Sequence, residues 1–393
     1  MTSGRVPHLT AKLQGFGTTI FAEMTQLAVA TGAVNLGQGF PDTDGPAEVL
    51  EAARNAIADG VNQYPPGPGL APLRQAIAAH QQRWWGMTVD PDREVLVTAG
   101  ATEALAAAML ALLDTGDEVV VLEPMYDSYA AGVAMAGGIL RPVTLRPPDY
   151  RVDIEAVRAA ITPRTRLLLL NSPHNPTGAV LGLDELSALA ALAIEHDLLV
   201  VSDEVYEHLT FDGHRHVPIA TLPGMAERTL TVSSGGKTFD TTGWKIGWCL
   251  GPAALVAAVR TAKQFLTYAG GGPFQLGVAA GLGLPDAYFD ELRTRLQGQR
   301  DQLVSGLRAA GFDVFVPSGT YFVTVDIRPL DPEGDGMAFC RSLPQRCGVV
   351  GIPNVVFYDQ AHRHEGRHLV RFAFCKRPAV IAEAVERLAT LAG

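Results

Sequence analysis

The sequence predicts an α/β fold in which helices flank a mostly parallel β-sheet. Six short apolar runs, each followed by a turn signal or a helical pattern, have the composition of buried strands. They are EVLVTAG, EVVVLEP, RLLLLNSP, LLVVSDE, RTLTVSS and WKIGWCLG. Segments of helical composition, such as Ala101–Asp114 and Leu183–Asp197, lie between them. This alternation indicates helical crossovers between parallel strands, and such sheets bind ligands at the carboxyl ends of their strands.

The last third of the chain has a different pattern and predicts a smaller α+β lobe. A helical stretch through Leu292–Ala309 precedes the strand-like segments VFVPSGTYFVTVDI, GVVGIPNVVF and HLVRFAFCKR, and a helix closes the chain. The glycine-rich first 40 residues predict an arm that lies across other parts. We therefore expect residues 1–40 to be an arm contributing to the small domain, 41–275 to be a large domain and 276–393 to be the small domain.

Composition excludes several classes of protein. The 393 residues are 47% hydrophobic and 18% charged, which is enough to bury a full core. A net charge of -10 argues against general affinity for nucleic acid or an anionic membrane. The four cysteines form no CxxC pair, the N-terminus has no signal-peptide pattern, and the uncharged stretch Phe265–Pro285 is broken by glycine and proline. We expect a cytoplasmic protein without a membrane span or a metal site.

Lysine is rare in this chain, so the setting of Lys237 is informative. Lys237 follows the predicted strand RTLTVSS and is preceded by Gly235 and Gly236, which permit a tight turn and close backbone approach. A lysine at a strand end can be desolvated, so that its neutral amine forms an imine with a carbonyl compound. The alternative is a solvated loop lysine.

Polar residues after two other strands are candidates for binding an aromatic cofactor. Asp203 ends an apolar run, where its carboxylate could pair with a pyridinium nitrogen, and Tyr206 could offer its phenol to the same ligand. The alternative is a helix-capping Asp beside a packed Tyr. Asn175, in NSPHNPTG, could donate to a phenolate oxygen or could instead form an Asx turn.

A phosphate could bind where the segment VTAGATEALAAAML joins a strand to a helix. Backbone N–H groups of Gly100, Ala101 and Thr102 and the helix dipole converge there, although the segment matches neither the P-loop nor the dinucleotide fingerprint. Ser234 and Lys245 could add a hydroxyl and a charge, or could face solvent.

An arginine in the middle of a predicted strand requires an anion. Arg371 in HLVRFAFCKR could hold a substrate carboxylate bidentately or could pair with a structural acidic residue. Gly37 and Gly39 would leave room for a backbone contact to the same carboxylate. Tyr64 belongs to the rigid loop NQYPPGPG, and no local feature assigns it a role.

Together these segments resemble a known family. SSGGKTFDTTGWKIGW, NSPHNPTG, SDEVYEHL, GATEAL and HLVRFAFCKR resemble the class I/II aminotransferases of pyridoxal-phosphate fold type I, nearly from end to end. Within the family, GMAERTLTVSS, KQFLTYAGG and LVRFAFCKR are most similar to actinobacterial N-succinyldiaminopimelate aminotransferases, in a subgroup that includes methionine and kynurenine/glutamine transaminases. The resemblance implies a seven-stranded, mostly parallel sheet in the large domain.

The resemblance also implies roles for the candidate residues. Lys237 would hold pyridoxal 5'-phosphate as an imine and then shuttle a proton. Asp203 would pair with the ring nitrogen and Tyr126 would stack on the ring. Asn175 and Tyr206 would bind the ring hydroxyl oxygen. The phosphate ligands would be Gly100, Ala101, Thr102, Ser234 and Lys245, together with Tyr64 from the neighbouring subunit of a homodimer. The substrate carboxylate would be held by Arg371, Asn175 and Gly39.

Three activities remain open at this point. The first is transamination between an amino acid and a 2-oxo acid, with 2-oxoglutarate and glutamate as the expected shared pair. The second is β-elimination from cysteine S-conjugates, which would use the same Lys237. The third is a pyridoxal-phosphate-binding sensor domain, which predicts a preceding helix-turn-helix, whereas here the arm begins at once. Two departures from the family pattern are small: two glycines precede Lys237, and Lys245 occupies a position where more distant relatives use arginine.

Overall fold

A seven-stranded sheet forms the centre of the larger lobe in this computed structural model, which describes residue 6, residues 8–17 and residues 19–392. Residues 1–5, 7 and 18 of the predicted arm, and residue 393, lie outside the described part. The strands are β1 Val34–Asn35, β2 Val95–Ala99, β3 Glu118–Glu123, β4 Ile139–Thr144, β5 Thr165–Asn171, β6 Leu199–Asp203, β7 Thr229–Ser234, β8 Ile246–Leu250, β9 Asp313–Phe315, β10 Phe322–Asp326, β11 Val349–Val350, β12 Ile352–Pro353 and β13 Leu369–Ala373.

Helices cover the sheet and build most of the second lobe. They are α1 Ile20–Thr31, α2 Ala47–Ala58, α3 Ala71–Trp85, α4 Gly100–Leu112, α5 Asp127–Ala136, α6 Ile154–Ala160, α7 Leu183–Glu195, α8 Gly235–Thr238, α9 Ala253–Lys263, α10 Gly272–Leu282, α11 Asp286–Ala309, α12 Gly336–Cys347 and α13 Pro378–Leu388. Within the described residues, no helix combines the length and apolarity needed to cross a membrane.

The large sheet has the strand order β2-β8-β7-β6-β5-β3-β4 and is parallel except at β8. Strand β8 runs antiparallel to both β7 and β2, so the predicted mostly parallel sheet of seven strands is confirmed. The sequence did not predict β4, because Arg141 and Pro142 interrupt its apolar pattern. Proline is tolerated there because β4 is an edge strand.

Alternate residues of the inner strands pack on opposite faces of the sheet. Val119 and Leu167 belong to the core beneath α4, α5 and α9, whereas Val120 and Leu168 belong to the core beneath α6 and α7. Because both faces are covered, these strands are apolar at every position instead of every second one. This explains why continuous apolar runs were the correct sequence signal.

The second lobe contains the antiparallel sheet β12-β13-β10-β9, packed with α1, α11, α12 and α13 around one core. The arm contributes to this lobe, since β1 pairs in parallel with β11. Helix α10 packs against α2 of the large lobe, so a boundary between residues 275 and 276 would divide a helix. The three-part division otherwise stays a prediction.

Two glycines of α11 test how this lobe is packed. A Cβ at Gly306 would lie 2.4 Å from Cγ2 of Val385 in α13, whereas a Cβ at Gly298 would meet no atom within 4 Å. We expect Gly306→Ala to lower the free energy of unfolding by about 1–3 kcal/mol through overpacking. Gly298→Ala should raise it by about 0.5–1 kcal/mol, because alanine has less conformational freedom than glycine to lose when the unfolded chain forms the helix. Thermal or urea unfolding measures both variants, and shifts of the same sign would contradict this packing.

Candidate active site

The carboxyl ends of β5, β6 and β7 meet the N-terminus of α4 around a cavity of about 340 Å³. The small lobe and the arm close the cavity with Phe322, Arg371, Gln38, Gly39 and Phe40. Apart from Gly37 and Tyr64, every predicted site residue lines it: Gly39, Gly100, Ala101, Thr102, Tyr126, Asn175, Asp203, Tyr206, Ser234, Lys237, Lys245 and Arg371. Residues far apart in sequence are therefore brought together as the strand-end argument predicts.

Lys237 lies in the short helix α8, directly after β7, and points into the cavity. Its Nζ donates to the hydroxyl of Tyr321 at 2.9 Å, and that hydroxyl donates to the carbonyl oxygen of Gly39 at 2.7 Å. The backbone just before Lys237 lies so close to neighbouring atoms that only glycine fits at positions 235 and 236. A Cβ at Gly235 would lie 2.8 Å from Val278, and one at Gly236 would lie 2.9 Å from the backbone of Thr242.

Burial lowers the pKa of the Lys237 ammonium from 10.5 to about 8, against a smaller opposing effect of Cys375 and Asp203. Desolvation disfavours the charged form of an amine, which explains the direction. A sizeable fraction of the amine is then neutral near pH 8, the form that attacks carbonyl carbons and accepts protons.

Asp203 is a buried carboxylate at the end of β6. Its Oδ2 accepts from the hydroxyl of Tyr129 at 2.7 Å, and its Oδ1 accepts from the backbone N–H of Val205 at 3.2 Å. It forms no ion pair within the described residues, and burial raises its pKa to about 6. A cationic ligand group beside it would favour the ionised form, because a buried carboxylate needs a charge partner.

Asn171 fixes the loop that carries Asn175. Its Nδ2 donates to the carbonyl oxygen of Asp203 at 2.9 Å, and its Oδ1 accepts from the backbone N–H of Asn175 at 2.8 Å. The side chain of Asn175 is therefore free to accept from Nη1 of Arg371 at 2.9 Å. The loop after β5 thus connects the Asp203 strand end to the arginine.

Arg371 is 2% exposed and has no carboxylate partner within the described residues. Its guanidinium carbon lies 3.9 Å from the ring centroid of Phe322 and 4.7 Å from that of Phe357. Nη2 donates to the carbonyl oxygen of Gly37 at 3.3 Å, and Nε has no hydrogen-bond partner. Burial lowers its pKa to about 10. Among the residues that the structure describes, Arg371 has no structural acidic partner, so this group is suited to bind an anionic ligand.

The N-terminus of α4 has the features of a phosphate-binding site. Gly100 begins the helix at φ 74°, and a Cβ at Gly247 of β8 would lie 2.5 Å from the backbone nitrogen of Ala101. Nζ of Lys245 lies 3.4 Å from the hydroxyl of Thr102. Free backbone N–H groups, the helix dipole and an ammonium group thus face one part of the cavity.

Tyrosines surround the remaining cavity wall. The Tyr206 ring packs edge-on against Tyr321 with centroids 5.2 Å apart, and the Tyr126 ring packs edge-on against Tyr129 at 5.7 Å. Burial raises the pKa of both Tyr126 and Tyr206, so each phenol stays protonated and can donate a hydrogen bond.

Tyr64 lies outside the cavity of its own chain. Its side chain is 82% exposed, and its ring contacts Tyr268 edge-on at a centroid distance of 5.9 Å. A role for Tyr64 in cofactor binding therefore requires a second subunit and stays a prediction.

Comparison with known protein families decides the identity. The family model described as aminotransferase class I and II matches residues 31–388. The chain belongs to this family. The sequence-based recognition of an aminotransferase is thereby confirmed, and this family depends in general on pyridoxal phosphate.

Relatives of this aminotransferase match over nearly their whole length. A probable N-succinyldiaminopimelate aminotransferase, DapC of Mycobacterium tuberculosis, is 54% identical over 97% of this chain and 98% of its own. Methionine aminotransferase of Escherichia coli is 41% identical, with the same coverage. The solved structure of the M. tuberculosis N-succinyldiaminopimelate aminotransferase has a TM-score of 0.95 over 98% of this chain and 100% of that one. These neighbours confirm the fold type I architecture.

Three residues of the aminotransferase site were not predicted from sequence. Tyr321 contacts Lys237 from the small lobe, Tyr129 contacts Asp203 from α5, and Asn171 supports Asn175. Asn171 ends the apolar run RLLLL, a signal that reasoning about strand ends could have used. The two tyrosines lie in segments whose placement depends on how α5 and the small lobe pack, which local sequence does not specify.

Proposed function

We propose that this aminotransferase uses pyridoxal 5'-phosphate to transfer an amino group from N-succinyldiaminopimelate to 2-oxoglutarate. The observation that carries the reaction type is the cavity that combines a lysine of lowered pKa with an unpaired, buried arginine. The substrate rests on the 54% identity to DapC over 97% of this chain. Lysine biosynthesis in the cytoplasm is the corresponding context, and the described cysteines form no disulfide.

The residues of the cavity fit the cofactor. The Asp203 carboxylate lacks a cationic partner within the described residues, and a ring nitrogen would supply one. The α4 N-terminus and Lys245 suit the phosphate, and Asn175 and Tyr206 suit the ring oxygen. When bound, the cofactor supplies an aldehyde that condenses with amines and a protonated ring that withdraws electrons from the substrate carbon. We propose this set as holding it: Gly100, Ala101, Thr102, Tyr126, Asn175, Asp203, Tyr206, Ser234, Lys237 and Lys245.

The residues of this chain then orient the substrate and move one proton. Arg371, with Asn175 and the backbone at Gly39, binds the α-carboxylate and directs the α-carbon toward Lys237. As a neutral amine, Nζ of Lys237 accepts the proton from the substrate α-carbon. As an ammonium, it then donates that proton. The pKa near 8 suits both steps, because both protonation states are populated at ordinary pH. The Tyr321 hydroxyl, which donates to the Gly39 carbonyl, holds Nζ of Lys237 in place between these two proton transfers.

We propose that the active form is a homodimer. Tyr64, Phe265 and Tyr268 are 82%, 82% and 48% exposed, and the Tyr64 and Tyr268 rings are in contact. Exposed clusters of aromatic side chains on this scale are commonly covered by a partner. In this arrangement Tyr64 of each subunit donates its phenol to the phosphate in the other subunit's site.

The substrate assignment predicts an order of specificity constants. With 2-oxoglutarate as acceptor, we expect kcat/KM for N-succinyldiaminopimelate to exceed those for methionine and kynurenine by about tenfold or more. Lys237→Arg, which keeps the charge but not the nucleophilic amine, should lack turnover of every donor. A preference for methionine or kynurenine would make this a broad-specificity transaminase. Pyruvate release from a cysteine S-conjugate without any 2-oxo acid would favour β-elimination instead.

Shared sites predict complementation between two inactive variants. In a hybrid of one Lys237→Ala subunit and one Tyr64→Ala subunit, one site combines intact Lys237 with intact Tyr64. We expect a hybrid purified with two different tags to regain about half of the normal activity per dimer, because one of two equivalent sites is native. Each parental homodimer should stay impaired. A hybrid no more active than its parents would show that Tyr64 does not act across the interface.

A further inference from the structure

A second cavity, of about 790 Å³, adjoins the active site and has no role in the mechanism above. Phe21 and Tyr126 line both cavities, so the two spaces meet at these side chains. The second cavity lies between the arm, the start of α5 and the small lobe. A substrate held at Arg371 whose far end is long would extend into a space of this kind.

The walls of this cavity separate into an apolar side and a cationic side. Phe16, Ile20, Ala131, Met337, Val355 and Val356 provide the apolar surface. Arg363 and Arg367 provide the cationic one. An apolar wall with charged groups at one end suits a methylene chain that ends in an anion.

The two arginines have no assigned partner. Within the described residues, the side chains of Arg363 and Arg367 form neither an ion pair nor a hydrogen bond, although both are exposed. Some exposed arginines of this chain are paired with acidic side chains, for example Arg341 with Glu23 and Arg146 with Glu365. Their guanidinium groups are therefore available for carboxylates of a ligand.

The backbone that carries Arg363 and Arg367 is anchored to the large lobe. The backbone N–H of Asp359 donates to Oε2 of Glu123 in β3 at 2.8 Å, and His362 contacts the same carboxylate. Glu365 pairs with Arg146 at 2.5 Å. This anchoring holds the two arginines at the cavity without using their guanidinium groups.

Two acidic residues also line the cavity and differ in their availability. Asp335 is the N-cap of α12 and accepts from the backbone N–H groups of Met337 and Ala338. Asp127, at the start of α5, lies beside the shared wall, and burial raises its pKa. A carboxyl group there can accept a hydrogen bond from an amide N–H.

We propose that this second cavity binds the succinylated end of the substrate, with Arg363 and Arg367 binding its carboxylates and Asp127 accepting from its amide N–H. The inference rests on the proposed function. Beyond its reacting end, N-succinyldiaminopimelate carries a methylene chain, an amide and two carboxylates, which correspond to the apolar wall, Asp127 and the two arginines. Methionine and kynurenine have no carboxylate at that end.

The test compares the succinyl substrate with N-acetyldiaminopimelate, which lacks only the succinyl carboxylate arm. The unsubstituted holoenzyme should prefer the succinyl compound in kcat/KM. The double variant R363Q/R367Q should reduce that preference by about 10- to 100-fold, the usual effect of losing a hydrogen bond to a charged group. Its kcat/KM for methionine should stay within about twofold, because the short, uncharged side chain of methionine does not interact with the two arginines.

Two further variants make the result specific. Arg308→Gln removes one positive charge from an exposed position of α11 outside the cavity and should leave the preference unchanged. R363K/R367K keeps both charges and should keep most of the preference, which also reveals whether the glutamine variant fails through misfolding. A preference that survives R363Q/R367Q would overturn the subsite alone. Absence of turnover of the succinyl compound by the unsubstituted enzyme would overturn the substrate assignment together with the subsite.

Discussion

The site depends on burying charged side chains that are not paired with one another. Lys237, Asp203 and Arg371 line one cavity, and no ion pair joins any two of them within the described residues. Their pKa values move in the directions that desolvation dictates: down for the lysine and the arginine, and up for the aspartate. Contacts with uncharged groups offset part of this cost. The Tyr321 hydroxyl accepts from Lys237, the Tyr129 hydroxyl donates to Asp203, and aromatic rings pack against Arg371. In the proposed function, a substrate and a cofactor of complementary charge would complete the site.

Both lobes are needed to hold this arrangement. The large lobe supplies Asp203 from the end of β6 and Lys237 from α8, directly after β7. Strands β6 and β7 pair in parallel and therefore end at the same edge of the sheet. The small lobe supplies Arg371 from β13 and Tyr321 from the position directly before β10, and these two strands pair antiparallel. The arm passes between the lobes, where Gly39 has no space for a Cβ beside Phe322. The position of Nζ in Lys237 therefore depends on how the large lobe, the small lobe and the arm pack together.

Much of the fold was predictable because strands buried on both faces leave continuous apolar runs in the sequence. Strand β4 was missed because it lies at the sheet edge, where Arg141 pairs with Glu118 and Pro142 costs no essential hydrogen bond. Asp203, Asn175 and Lys237 were predictable from their positions after strands. Tyr321 and Tyr129 were not, since their contacts arise only when separate elements pack. The role expected of Tyr64 could not be tested in one chain, because its side chain is exposed and does not line the cavity.

Burial lowers the pKa of the Lys237 amine to about 8, and the proposed chemistry depends on this lowered value. This pKa is tested most directly by competitive acylation of the cofactor-free protein over a range of pH, with the peptide containing Lys237 quantified by mass spectrometry. We expect the reactivity of Lys237 to rise with a midpoint near pH 8, since the amine is protonated below its pKa and free above it. A midpoint near 10.5, the ordinary value for a solvated lysine, would contradict it.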